Sequence, residues 1–340
     1  MPETAPRLLD PEALGRYLDD RLPGTGSFEV ERHRAGHSNE TFFVRRSGHA
    51  WVLRRPPAGA FLPTAHDVLR EHRVLDALKD TPVPTPRPVL SCQDRDVIGT
   101  PFHLMEMIEG HVLRDEVTAG LDPAAIGPAL VDALADLHAV DPWAAGLEAW
   151  GRPDGYLHRQ VRRWRGQLEL TVPMTRPLPD LLAAADWLRE HLPEASGPAT
   201  IVHGDYKLDN VMLAPDPTRV AGILDWEMST VGDPMADLGW MLSFWHQPGE
   251  PDDELGLAGP TAGPGFATRA ELLDRYRERT GRAAQDLTPF RVLAMWKLAI
   301  LLEGSYARHL AGHTDDPFFA RMETAVPALA ARAVAVAGGG

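Results

Sequence analysis

The sequence predicts an α+β fold in two lobes, a small antiparallel sheet followed by a mainly helical region, on three observations. Short β-rich runs crowd the first third of the chain, helical apolar spacing dominates from about residue 122, and the two patterns meet near Glu109-Gly110. The division falls between residues 1–108 and 109–340.

The runs Phe28–Arg32, Thr41–Arg45 and Ala50–Arg54 are separated only by the turn around Gly36 and by Ser47-Gly48, and such short gaps imply hairpins. A helix over His66–Leu78 follows, with Val68, Leu75 and Leu78 on one face and Glu71 on the same stripe. Pro84 to Pro88 breaks the chain, and Pro88–Cys92 and Thr100–Met107 supply two more strands. Asp122-Pro123 is then an N-cap and N1 pair, opening a helix with Ile126, Leu130, Leu134 and Leu137 at helical spacing. Leu157, Val161, Trp164 and Leu168 define another, with Arg159, Arg162, Arg163 and Arg165 as its solvated face. Gln247–Pro264 is rich in Gly, Pro and acids and reads as a loop. Thr268-x-x-Glu271 is a capping box, and Thr288-Pro289 opens Phe290–Glu303, apolar almost all round and therefore buried.

Composition narrows the function. The 34 basic against 48 acidic side chains give a net charge of −14, which argues against a nucleic-acid or anionic-membrane partner. One cysteine, Cys92, allows neither an internal disulfide nor a Cys-rich zinc site, and suits a reduced cytoplasm. The first residues carry acids and prolines where a signal peptide has a basic and then an apolar stretch, and no apolar run approaches a membrane span. Walker A, His-Glu-x-x-His and Gly-x-Ser-x-Gly sequences are all missing. The oligomeric state is not legible.

The chemistry concentrates in His203-Gly204-Asp205-Tyr206-Lys207-Leu208-Asp209-Asn210 and, after a short apolar segment, Ile223-Leu224-Asp225-Trp226. A transferred phosphoryl group spreads negative charge over its oxygens, so a protein has chiefly to position metal ions and a hydroxyl in line with it. Carboxylates and an amide oxygen suit magnesium. Kinases use an Asp to accept the hydroxyl proton, an Asn five residues on for one metal ion, and an Asp after the next strand for the other. Asp205, Asn210 and Asp225 have that order and spacing.

The stretch Ile201–Met241 resembles the aminoglycoside phosphotransferase family, and within it the kinase-like domains attached to some acyl-CoA dehydrogenases; a weaker likeness runs from about Phe28 to about Glu303. The resemblance implies a protein-kinase-like fold with ATP in the cleft between the lobes, Asp205 as base, and Asn210 and Asp225 as ligands of Mg²⁺. His-Gly-Asp stands where protein kinases have His-Arg-Asp, and Asp-Trp-Glu where they have Asp-Phe-Gly, which points away from protein substrates. The expected acceptor is a hydroxyl of a small molecule, with a hydroxy acid or hydroxyacyl thioester slightly favoured over an aminoglycoside. Glu250, Asp252, Asp253 and Glu254 would attract such a polycation. A nucleotide-binding module without turnover is the rival from another class.

The first lobe is expected to hold the nucleotide. The turn Ala35–Glu40, with Ser38 and Asn39, occupies the place of a loop over the phosphates. Arg54 ends the third strand and is expected to pair with Glu71 and touch the α- and β-phosphates, with Arg55 as the competing choice, since alternation points only one of them inward. Met105 and Met107 flank the segment that would meet adenine, and Lys207 is a candidate for the γ-phosphate. His203 reads as holding the catalytic loop, and Asp233 and Asp237 as capping a turn.

Overall fold

The computed structural model describes residues 9–33, 39–57, 67–114, 116–214, 219–250, 259–282, 286–313 and 316–339. Two compact units emerge, one of Met1–Glu109 with Ala221–Glu227, the other of Gly110–Val220 with Met228–Gly340. The return of Ala221–Glu227 to the first unit is the departure from a division at 108/109.

The first unit opens with α1 (Pro11–Leu18), capped by the Asp10 side chain, which buries Leu14 and Leu18. Next come β1 (Glu29–His33), β2 (Glu40–Arg46), β3 (His49–Arg55), α2 (Val68–Leu78), β4 (Pro88–Cys92), the single turn α3 (Arg95–Ile98) and β5 (Phe102–Glu106). The strands form one antiparallel sheet in the order β1-β2-β3-β5-β4. Strand alternation sorts its side chains: Phe42, Val44, Trp51, Leu53, Phe102 and Leu104 join Leu14 and Leu18 in one apolar core. Arg54 and His103 therefore emerge on the opposite face, where they are direct register partners across β3 and β5. That face carries α2, which packs on β4 and β5. Asp67 accepts from the Leu69 and Arg70 N–H groups and starts the helix.

The second unit contains α4 (Pro123–Ala139), α5 (Tyr156–Thr171), α6 (Pro179–His191), β6 (Thr200–Val202) and β7 (Val211–Leu213); β8 (Val220–Ile223) leads out of it. After β9 (Thr230–Gly232) come α7 (Met235–Ser243), α8 (Arg269–Thr280), α9 (Thr288–Leu310) and α10 (Met322–Ala337). β6 and β9 pair antiparallel, bracketing the catalytic-loop sequence. Asp122 caps α4, and Thr268 and Glu271 form both halves of the capping box of α8. α9 is the central helix of this unit, packed on α5, α6, α7 and α10, which accounts for an apolar sequence on every side. α10 packs on α9 and α6 and buries Val326, Leu329 and Ala330, where the sequence reads only as an Ala/Val-rich tail. No helix among the described residues is long and apolar enough to cross a membrane.

Leu53, fully buried beside Arg54, tests how far the sheet core fixes the site. Leu53→Ala is expected to lower the unfolding free energy by about 2–5 kcal/mol through the lost contacts and the cavity left, measured by urea denaturation. A loss under about 1 kcal/mol would mean that the sheet face is not the core described.

Candidate active site

The candidate residues form two constellations, one in each unit. In the first, Arg54 Nη1 donates to Glu71 Oε1 at 3.0 Å and Arg54 Nη2 to Asp225 Oδ1 at 3.0 Å. His103 Nε2 lies 3.2 Å from Glu71 Oε2, and the Trp226 N–H donates to Glu71 Oε1 at 3.4 Å. Glu71 is 1% exposed, and a carboxylate taken out of water needs these partners. Burial pushes its carboxyl up, but Arg54 and His103 outweigh that and hold it below the usual range. Burial likewise opposes the Arg54 charge, and Glu71, Asp225 and Glu227 together hold the guanidinium above its ordinary value. Of the two arginines closing β3, the sheet presents Arg54 to α2, while Arg55 turns its Nε to the Pro56 carbonyl.

Asp225 follows β8 with a left-handed backbone, φ +63°. A non-glycine residue adopts this region at some cost, and such residues gather at functional sites. Asn39 Nδ2 donates to Glu227 Oε2 at 3.1 Å, so Asn39 belongs to the same constellation. Ser38 lies outside the described residues. Met105 sits two positions from His103 on β5, hence on the same sheet face. The Met107 N–H is bonded to the Ala50 carbonyl at 3.3 Å, which commits that group to the sheet.

In the second unit, the loop His203–Asn210 is built around Asp237 of α7. The fully buried Asp237 carboxylate accepts from the His203 N–H at 2.6 Å and the Gly204 N–H at 2.8 Å, and His138 Nε2 lies 3.4 Å away. Burial raises this carboxyl, and His138, His203 and the Gly204 N–H more than reverse the shift. Asp237 thus holds the His203–Asn210 loop, a larger role than turn-capping; Asp233 does cap, accepting from the Met235 N–H at 2.9 Å. Gly204 has φ +86°, and a Cβ there would stand 2.6 Å from the Met228 carbonyl oxygen, so the turn before Asp205 demands glycine twice over.

His203 Nδ1 accepts from the Asp205 N–H at 3.2 Å, which places the ring as a brace of the loop. Asn210 Nδ2 donates to the Asp205 carbonyl at 2.9 Å and to Asp205 Oδ2 at 2.7 Å. With its nitrogen spent, Asn210 keeps its amide oxygen, the atom that a hard cation takes. Lys207 Nζ lies 3.7 Å from Asp205 Oδ1 and 3.3 Å from Asp209 Oδ2, so it is part of the loop's charge network rather than a solvated lysine. Burial raises the Asp205 carboxyl above its ordinary value, with Lys207, His203 and Lys297 working against the shift and Asp209 adding to it.

His103 and Lys297 escape sequence reasoning. His103 carried a signal, since it alternates with Phe102 and Leu104 on a strand paired with β3. Lys297 shows in the sequence as a charge in a helix that is apolar on every side. Of the acids expected to attract a polycation, Glu250 is instead bound by both Arg269 Nη groups, with Arg332 at 3.6 Å, and Asp252, Asp253 and Glu254 lie outside the described residues.

Together these features belong to a kinase-like α+β fold, with a buried ion-pair cluster on the sheet and a braced His-Gly-Asp loop among the helices. The chain belongs to the phosphotransferase enzyme family, whose profile matches residues 29–278. It is 37% identical over 321 residues to acyl-CoA dehydrogenase family member 11 of Rattus norvegicus, a match covering 91% of this chain and 41% of the relative. The chain therefore spans about two fifths of the length of that relative. A solved Ralstonia eutropha structure, assigned as an aminoglycoside phosphotransferase, superposes with a TM-score of 0.82 at 33% identity over 97% of this chain and 99% of that one. Spectinomycin phosphotransferase, solved with ADP and spectinomycin, shares the fold at a TM-score of 0.63 and 12% identity, covering 97% of this chain and 99% of that one.

The Glu71 cluster gives a test with a definite pH sense. Arg54→Met strands the buried carboxylate and is expected to cost about 3–5 kcal/mol near pH 7. In the wild type the lowered Glu71 carboxyl contributes stability above the ordinary carboxylate value of about 4.3, which is lost as the pH falls through the native one. In the variant, burial raises that carboxyl against only His103 and the Trp226 N–H, so its native value moves up and acid relieves it. The cost of Arg54→Met, followed by urea denaturation, should therefore shrink as the pH is lowered from 7 towards 4. A cost that stays level over that range would contradict the pairing.

Proposed function

We propose that this chain is an ATP- and Mg²⁺-dependent kinase that transfers the γ-phosphoryl group to a hydroxyl of a small molecule. The observation that carries the reading is the Asp205–Asn210 pair, which leaves a carboxylate and an amide oxygen on one short loop braced by a buried carboxylate.

The donor set suits the proposed groups. Magnesium keeps several waters and takes one or two protein oxygens, and the Asn210 amide oxygen and the Asp225 carboxylate are of that kind. Arg54, fixed by Glu71 and Asp225, brings a permanent positive charge to the α- and β-phosphates, with Asn39 and Met105 as further contacts. Mg-ATP, when bound, supplies the transferable group and neutralises its charge. The protein's part is positional: Asp205 orients the acceptor hydroxyl and takes its proton, and Lys207 brings a cation to the same loop. The solved relative that holds ADP supports a nucleotide donor. Cytoplasmic residence remains part of this proposal.

For the acceptor, a hydroxy acid or hydroxyacyl thioester is favoured over an aminoglycoside. The relatives named as acyl-CoA dehydrogenase family members support that class. Glu250, neutralised by Arg269, offers a polycation little.

The experiment is incubation with Mg-ATP and a panel of hydroxy acids, hydroxyacyl thioesters and aminoglycosides, with products read by mass spectrometry. Asp205→Asn keeps the shape and removes the proton acceptor. It is expected to bind Mg-ATP within about threefold of wild type and to lose at least about 10²-fold in turnover, a barrier increase of roughly 2.7 kcal/mol. Near-normal transfer by Asp205→Asn would place the base elsewhere.

A further inference from the structure

Lys297 is an ammonium inside the helical unit. It projects from α9, its Nζ donates to the Gly204 carbonyl at 2.9 Å, and it lies 4.6 Å from the Trp240 ring centroid and 5.8 Å from that of Trp164. Beside it is a cavity of about 20 Å³ lined by Tyr156, Gln160, Asp237 and Trp240, space for roughly one water and not for a substrate. The charged groups facing it are Asp205, Asp237 and Arg163. Burial lowers the ammonium to about 8, and the two carboxylates only partly restore it.

Such a lysine is a poor device for stability alone. A buried charge costs solvation, and an apolar side chain of the same size often does as well or better. The Gly204 carbonyl, moreover, is the acceptor of the peptide plane from which Asp205 springs. Neighbouring amides of that turn are held by Asp237, which accepts the His203 and Gly204 N–H groups. With Lys297 on the carbonyl and Asp237 on the amides, the turn is gripped at both ends of its dipoles.

Building on the kinase reading, we propose that Lys297 is a positioning residue of the transfer reaction, fixing the Gly204–Asp205 peptide so that the Asp205 carboxylate meets the acceptor hydroxyl in one orientation. It acts through Gly204 and touches none of the residues assigned to the nucleotide. Its loss therefore falls on kcat and spares the binding of Mg-ATP. The cation–π contacts with Trp240 and Trp164 hold the ammonium in place without neutralising it.

The test compares wild type, Asp205→Asn and Lys297→Met in Mg-ATP turnover, with water as the acceptor and with any alcohol that the wild type phosphorylates. Lys297→Met is expected to lose about 10-fold or more in kcat, within the 10²-fold that a misplacement of about 1 Å can cost, and to keep its KM for Mg-ATP within about threefold. To separate charge from packing, Lys297→Cys in a Cys92→Ala background is alkylated while unfolded and then refolded. Cys92 is the chain's single native cysteine. 2-Bromoethylamine, which rebuilds an ammonium of lysine length, should restore most of the lost kcat, and iodoacetamide should not. If Lys297→Met fails to fold, judged by circular dichroism and loss of a cooperative melt, Lys297→Leu, which likewise lacks a donor to the Gly204 carbonyl, carries the comparison. Turnover within about twofold of wild type in the substituted protein, or equal rescue by the two reagents, overturns the positioning role. A wild type without turnover removes the kinase reading and this inference with it, whereas turnover lost in Asp205→Asn but kept in Lys297→Met removes the inference alone.

Discussion

Buried carboxylates that must be paired organise this molecule. Glu71 and Asp237 are each essentially inaccessible, and a carboxylate so placed is tolerable only where cations and N–H groups surround it. Each meets the requirement by seizing the segments that matter. Glu71 draws in Arg54 from β3, His103 from β5 and the Trp226 N–H that follows Asp225. Asp237 takes the two N–H groups ahead of Asp205. The energetic demand of an enclosed charge thus becomes geometrical order in two loops.

That arrangement separates the tasks of the proposed reaction. The sheet unit supplies a guanidinium whose charge is assured by three acids and an Asp held in a left-handed turn. The helical unit supplies a carboxylate with an amide beside it, on a turn that only glycine can precede. Little of this is bond-making chemistry. Phosphoryl transfer needs charges and a hydroxyl held in place, and the structural effort goes into holding.

Much of the site was legible because its signals are local. Asp205, Asn210 and Asp225 declare themselves by spacing, and Glu71 by falling on the apolar stripe of α2. The five strands and the caps at Asp122 and Thr268 follow from turns and periodicity in the same way. The choice between Arg54 and Arg55 needed the register of β3 with β5, which puts His103 opposite Arg54. Lys297 was hidden for a related reason: its partner Gly204 is 93 positions away, and only the packing of α9 brings them together. α10 was missed because Ala- and Val-rich sequence carries little periodic contrast, and its burial comes from covering α9. The bond from the Met107 N–H to the Ala50 carbonyl is likewise a matter of strand pairing that composition does not reveal.

The central proposal is that Asn210 and Asp225 hold the magnesium of a bound nucleotide, and differential scanning fluorimetry addresses it most directly. Asn210→Ala and Asp225→Ala alter one proposed metal ligand in each unit, and ligand binding raises the melting temperature by mass action. ATP should stabilise the wild type with Mg²⁺ and lose most of that effect in EDTA, and each substitution alone should abolish the Mg²⁺-dependent part. Equal stabilisation in EDTA, or loss in only one of the two variants, would contradict that pair of metal ligands.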